Sequence, residues 1–161
     1  MPTVEERLRI LEAKEEIRDL FNRYGFAADT GEAQTWSEVW ASDAVYERAD
    51  AQIRGRDAFR KSIDDPAGAH KLQIEGPGSL HTTGPIMIEV TGDTAWAEGP
   101  ALVWVRNQEG YSVYTLSYNH WDLERRDGRW EIVRRIGRPV APNNAKIVYR
   151  SWKTGGARRD G

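Results

Sequence analysis

The chain has no cysteine and only three histidines among 161 residues. The missing thiols exclude disulfides, thiolate nucleophiles and cysteine-based zinc sites. They leave the compartment open, because cysteine-free chains occur both in the cytosol and outside the cell. No apolar run approaches the roughly 20 residues of a membrane helix. The segment Met1-Pro2-Thr3-Val4-Glu5-Glu6 has no basic region followed by an apolar stretch, so no signal peptide is expected and the cytoplasm is the default location. No charge of one sign dominates: 23 Lys/Arg stand against 25 Asp/Glu, for a net charge of −2 and a pI near 6. That balance argues against a nucleic-acid partner. The basic tail Ala157 to Gly161 is too short to change it. His70 and His120 have no ligand-like spacing to each other, and no metal site is expected. A Gly-rich phosphate loop and a serine nucleophile elbow are also missing. The expected cofactor list is therefore empty.

What the chain has in surplus is aromatic. Seven tryptophans and six tyrosines exceed what one core of this size needs. Large rings fill cores, and they also line pockets for apolar or flat ligands.

The length fits a single domain with a real core. Ile10, Ile17, Phe21, Tyr24 and Ala28 recur on one helical face. Thr3 and Glu6 form a capping-box signature, and Gly31 is a natural stop. Trp36, Val39 and Trp40 predict a short second helix. Ala44 to Arg48 reads as a strand, and Gly55-Arg56-Asp57-Ala58 opens a third helix. Residues 64–79 show no clear period and read as a long loop or lid, in which Lys71 to Glu75 could add a short strand.

From residue 80 the period changes to two. Strands are predicted at Pro85 to Val90, Thr94 to Asn107, Tyr111 to Arg126 and Arg129 to Arg138. Thr91-Gly92-Asp93, Glu109-Gly110 and Asp127-Gly128 supply the hairpin turns. Gly99-Pro100 predicts a bulge or bend. Helices followed by an antiparallel meander give an α+β fold. The expected architecture is a cone-shaped α+β barrel, a curved antiparallel sheet with three N-terminal helices enclosing a pocket. Residues 1–140 form the cone domain. Residues 141–161 form a tail whose Val148, Tyr149 and Trp152 pack on the domain or on a neighbour.

Two residues carry the chemistry. His81, in Leu80-His81-Thr82-Thr83-Gly84, sits between a Gly/Pro-rich loop and a strong strand. Imidazole is the side chain best suited to moving a proton near neutral pH. Asp29 stands at the foot of the first helix, where a carboxylate is mildly unfavourable and so points to another partner. A carboxylate can fix the tautomer of an imidazole and raise its basicity. Tyr24 precedes Asp29 by five residues, about 140° around an ideal helix. Asn119 shares a face with Tyr111, Val113, Thr115, Ser117 and Trp121, a mixture that suits a cavity. Strict alternation sets Arg135 on the face opposite Trp130 and Ile132.

The run Tyr24-Gly25-Phe26-Ala27-Ala28-Asp29-Thr30-Gly31, then Trp36, Trp40 and Asp43-Ala44-Val45-Tyr46, resembles the SnoaL-like branch of the nuclear-transport-factor-2-like superfamily. Leu80-His81, Gly92-Asp93-Thr94-Ala95 and the segment Glu124 to Ile132 resemble it too. The likeness runs from about residue 5 to about residue 138. Within the branch the chain is most similar to the cofactor-free lyases: bile-acid dehydratase, scytalone dehydratase and hexachlorocyclohexane dehydrochlorinase. That resemblance implies catalytic roles for His81, Asp29 and Tyr24. It implies substrate contacts from Tyr46, Trp104, Asn119 and Arg135, with Arg138 as an alternative to Arg135. The strand Ala101-Leu102-Val103-Trp104-Val105 lacks the second histidine of scytalone dehydratase, which argues against scytalone as substrate.

The resulting expectation is a lyase, a dehydratase or dehydrohalogenase, acting on an apolar cyclic small molecule. The same dyad could serve an isomerase or a polyketide-type cyclase. A rival reading is a non-catalytic ligand-binding or assembly module, such as the small subunit of a ring-hydroxylating oxygenase. Under either reading a homodimer or homotrimer is expected, because one face of such a sheet often stays apolar.

Overall fold

A computed structural model describes residues 2–149. The first helix, α1 (Val4–Thr30), starts where the capping box places it. The Thr3 hydroxyl accepts the Glu6 N–H, and the Thr3 N–H donates to the Glu6 carboxylate. Gly31 ends the helix in a left-handed conformation. The buried stripe runs through Ala13, Ile17, Leu20, Phe21, Ala27 and Ala28. Ile10 is not part of it. Like Val4, Leu8 and Leu11 it is exposed, since no described element covers the first turns of α1.

The second helix, α2 (Ala33–Glu38), is shorter than its apolar pattern suggests. Val39 and Trp40 leave it, and β1 already runs over Trp40–Glu47. A two-stranded hairpin with β2 (Gln52–Arg54) leads into α3 (Arg56–Asp64). Within residues 64–79 the chain forms a π-helical segment, His70–Glu75, and not a strand. The remaining strands are β3 (Ser79–Thr83), β4 (Met87–Thr91), β5 (Thr94–Asn107), β6 (Gly110–Arg126) and β7 (Arg129–Pro139). A short helix, α4 (Asn144–Val148), follows. Val148 is fully buried, and the Tyr149 ring meets Tyr118 edge-on at 5.4 Å. Trp152 lies outside the described residues.

The seven strands form one sheet in the order β2-β1-β7-β6-β5-β3, with β4 also paired to β5. β3 and β4 take opposite halves of β5, and Gly99-Pro100 marks the change of partner. A side chain at Gly99 would collide with Ile86 and the Pro85 carbonyl, so glycine allows the crossing chain to sit against the strand. β1 pairs with β7 in parallel, a departure from the expected antiparallel meander. The helical N-terminal third carries the chain to the far edge, from which β1 runs alongside the last strand.

The aromatic surplus explains part of the core. Trp40 stacks on Phe59 with ring centroids 4.0 Å apart, and Trp36 and Tyr24 close in on the same cluster. Phe21 meets Trp121 at 4.7 Å across the helix–sheet interface. This joins α1, α2, α3, β1 and β6 around one apolar centre.

The sheet also holds a buried polar cluster away from the cone. His120 contacts the Glu98 carboxylate through Nδ1 at 2.8 Å and Asp122 through Nε2 at 3.0 Å. Its ring stacks on Trp96. Burial works against a charged ring here, but the two carboxylates outweigh it and raise the pKa above the ordinary histidine value. A raised native pKa gives stability that is fully present below the unfolded value. That stability is lost as pH rises through the native value. Thermal melting across that range is expected to fall in the native protein and to stay flatter in a His120→Gln variant.

Candidate active site

Asp29 and His81 are brought together by the packing of α1 on β3. Gly25, one turn before Asp29, makes the approach close: a Cβ there would sit 3.1 Å from the His81 carbonyl oxygen. The Asp29 Oδ1 lies 2.6 Å from His81 Nδ1. The carboxylate also accepts the His81 backbone N–H at 2.9–3.0 Å and the Ser79 hydroxyl at 2.7 Å. Burial works to raise the Asp29 pKa, but the His81 and Ser79 hydrogen bonds prevail and hold it below the usual carboxylate value. An ionised carboxylate accepts only, so Nδ1 carries the proton toward Asp29. Nε2 is left without a partner among the described residues. The helix-end carboxylate thus has the partner its awkward position called for.

A Gly25→Val variant is expected to push α1 off β3. Overpacking of this kind costs roughly 1–3 kcal/mol. The melting temperature should fall, and the His81 ring NMR signals should move toward those of an Asp29→Ala variant.

His81 lines a cavity of about 520 Å³ between the helices and the curved sheet. Tyr24, Trp36, Tyr46, Val103, Ser117, Trp121 and Arg135 share its walls. The volume suits a ligand of two to four rings.

Arg135 enters the cavity because of a bulge. Trp121 pairs with Arg135 and Leu123 pairs with Ile132, so Val133 is the extra residue. That single insertion resets the alternation. Arg135 therefore shares the inner face with Ile132, contrary to the face strict alternation assigns it. Arg135 is only 7 % exposed. Its Nε donates to Asn119 Oδ1 at 2.9 Å and its Nη1 to the Tyr24 hydroxyl at 2.7 Å. It lies 4.3 Å over the Tyr46 ring centroid. Gly137 leaves room for this packing, since a Cβ there would come within 3.0 Å of both Asn119 and Tyr46. Burial is the main influence on Tyr24 and raises its pKa, so the phenol keeps its proton at neutral pH. Its oxygen accepts from Arg135, which leaves the O–H free to donate.

The structure thus gathers Tyr24, Tyr46, His81 and Arg135 on one cavity, with Asp29 directly behind His81. Asn119 is fully buried and stands behind Arg135, which it orients; its amide donates to Ser117. Trp104 is not brought in. It pairs with Leu80 and Val113, and all three side chains are exposed on the outer surface. The inward neighbour is Val103, which pairs with His81. Arg138 bonds to the backbone carbonyls of Glu47 and Gly137 and does not line the cavity. A second bulge, at Tyr114, turns that side chain toward the cavity, where its hydroxyl donates to Gln73 on the π-helical segment at 2.7 Å.

His70 is the residue the sequence does not signal. It lines the cavity with its ring centroid 6.2 Å from that of His81. Neither ring nitrogen makes a hydrogen bond of good geometry, although the Ala28 backbone lies near. Burial, followed by the His81 neighbour, lowers its pKa and keeps it neutral. It sits in a stretch without periodicity, so no pattern marks it. Among the described residues no group of three or more His, Asp or Glu side chains could hold a metal ion. No described helix is long and apolar enough to cross a membrane.

The SnoaL-like domain family matches residues 9–136. The chain belongs to this family, within the nuclear-transport-factor-2-like superfamily. An NTF2-like protein with a cystatin-like fold from Novosphingobium aromaticivorans is 31 % identical, with a TM-score of 0.83 over 93 % of this chain and 99 % of that one. Rv3472 of Mycobacterium tuberculosis, a protein of unknown function solved as an aspartate-to-asparagine variant, is 25 % identical, with a TM-score of 0.75 over 90 % and 81 % of the two chains. A second Novosphingobium aromaticivorans protein, provisionally assigned as a scytalone dehydratase, shares the fold at 18 % identity and a TM-score of 0.66, over 81 % and 86 %. No curated protein matches the sequence. The SnoaL-like superfamily includes dehydratases and cyclases.

Proposed function

We propose that this SnoaL-like protein is a cofactor-independent acid–base enzyme, a lyase acting on an apolar cyclic small molecule. The observation that carries this reading is the 2.6 Å contact between Asp29 and His81 Nδ1 at the wall of a cavity of about 520 Å³. Asp29 holds the proton on Nδ1. Nε2 then removes a proton from a substrate carbon next to a carbonyl. Tyr24 donates its hydroxyl proton in a hydrogen bond to the oxygen on which charge develops, and Arg135 supports Tyr24 from behind. An elimination is completed when a halide leaves the neighbouring carbon as the anion, or when a hydroxyl there takes the proton from His81 Nε2 and leaves as water. Return of the proton elsewhere gives an isomerisation, and attack by the enol carbon on a second carbonyl gives a ring closure.

The non-catalytic reading predicts a separated pair and a filled cone. The short contact and the cavity speak against it. The exposed Leu80, Trp104 and Val113 support the expected homodimer or homotrimer. The first test is carbon-acid exchange. The protein in deuterium oxide with 2-tetralone should speed incorporation of deuterium beside the carbonyl, followed by proton NMR. Exchange at the buffer rate, with this ketone and with larger cyclic ketones, would remove the reading.

A further inference from the structure

Arg135 carries a buried positive charge, and none of the described carboxylates forms an ion pair with it. Its hydrogen-bond partners are the neutral Asn119 and Tyr24, and its ring neighbours are Tyr24, Tyr46 and Trp121. Three carboxylates of the sheet and Asp29 at the end of α1 are engaged elsewhere: Glu47 with Arg134, Glu131 with Arg56, Glu98 with His120 and Asp29 with His81. No carboxylate among the described residues lies within ion-pair distance of Arg135. A guanidinium has five N–H donors and does not lose its charge in a protein. Nε and Nη1 each spend one. Three donors remain without a hydrogen-bond partner among the described residues, on a side chain that lines the cavity.

A buried charge of this kind is unfavourable unless it is paired. The aromatic faces around it compensate only in part. The rest of the cavity is close to balanced: the exposed Arg48 and Lys61 are offset by Asp65 in the lining and the ionised Asp29 behind His81, so the preference for an anion rests on Arg135.

We propose that the substrate bears a carboxylate, held by Arg135 in the ground state, next to the carbonyl that Tyr24 receives. Arg135 Nη1 and the Tyr24 hydroxyl are hydrogen-bonded to each other at 2.7 Å, so the ligand groups that the two residues receive lie close together. The substrate class is thus a cyclic oxo acid with the carboxylate beside the carbonyl. This rests on the acid–base reading for the carbonyl, while the carboxylate site stands on the unpaired charge alone.

The test is a binding measurement that needs no turnover. The flat probe 3-hydroxy-2-naphthoate is titrated against tryptophan fluorescence, beside its neutral primary amide. The carboxylate is expected to bind at least about tenfold more tightly, the scale of a charge-assisted hydrogen bond over a neutral one. Arg135→Met should erase that preference. If this variant fails to fold, Arg135→Gln, which keeps a polar side chain without the charge, should erase the preference in its place. His81→Gln should leave the preference intact. Equal binding of acid and amide to the native protein overturns the proposal, as does a preference that survives in Arg135→Met. Loss of deuterium exchange with retained carboxylate preference would sink the acid–base reading and spare this one.

Discussion

His81→Ala is expected to lose at least about 100-fold of its carbon-acid exchange rate while keeping its fold. Positioned general-base catalysis is worth roughly 10² to 10⁴ in rate, and the cavity offers no second imidazole with an unhindered nitrogen. Both His70 ring nitrogens are buried. The fold should persist because the lost ring lines a cavity and not the close-packed core. Asp29 also keeps the backbone N–H of position 81 and the Ser79 hydroxyl as donors. Circular dichroism should therefore match the native protein. Imidazole added to the buffer should restore part of the rate, since the vacated space opens onto the cavity. Native exchange rates in the variant would show that another group takes the proton.

Asp29→Asn is expected to lower the same rate by about 10² to 10³, through the tautomer of His81 and not through its position. The backbone N–H of His81 can only donate, so the amide oxygen takes the Oδ2 position facing it and the NH₂ group takes the Oδ1 position, against Nδ1 and the Ser79 hydroxyl. The NH₂ group cannot accept from Nδ1. It forces the ring proton to Nε2, the nitrogen that must stay free. The measurement that separates tautomer from position is the ring ¹⁵N spectrum. The native protein should show a protonated Nδ1, and the variant a protonated Nε2. The same substitution changes acid stability. The Asp29 pKa is depressed in the folded state, so its contribution is present above the unfolded value of about 3.9. It disappears as pH falls through the native value. The variant should therefore lose less stability than the native protein on acidification. A native rate in Asp29→Asn, or an unchanged acid limb, would sever Asp29 from the site.

Most of the frame was legible because it depends on local rules. The capping box at Thr3 and Glu6, the stop at Gly31 and the hairpin turns at Gly92, Gly110 and Asp127-Gly128 act over four residues or fewer. Asp29 and His81 were legible by residue type, an imidazole beside a strand and a carboxylate at an unfavourable helix end. Asn119 was visible as a polar residue on a cavity-like face. That it serves Arg135 and not the ligand was not visible, since its burial depends on β7.

The two misplacements differ in origin. Trp104, offered as a pocket residue, alternates regularly with the inward Val103 and so lies outside. Arg135, set opposite Ile132 by strict alternation, shares its face because one extra residue, Val133, inverts the alternation. The bulges at Val133 and Tyr114 exist only in the pairing of one strand with another. The parallel contact of β1 with β7 has the same character: it joins residues some 90 positions apart. The sequence by itself determined where elements begin and end, and which side chains could do acid–base chemistry. Only the tertiary structure decided which of them face one another, because facing is set by the register of distant strands and not by any residue's own preference. For Arg135 that decision turned a cation set opposite Ile132 by strict alternation into a buried one on the inner face.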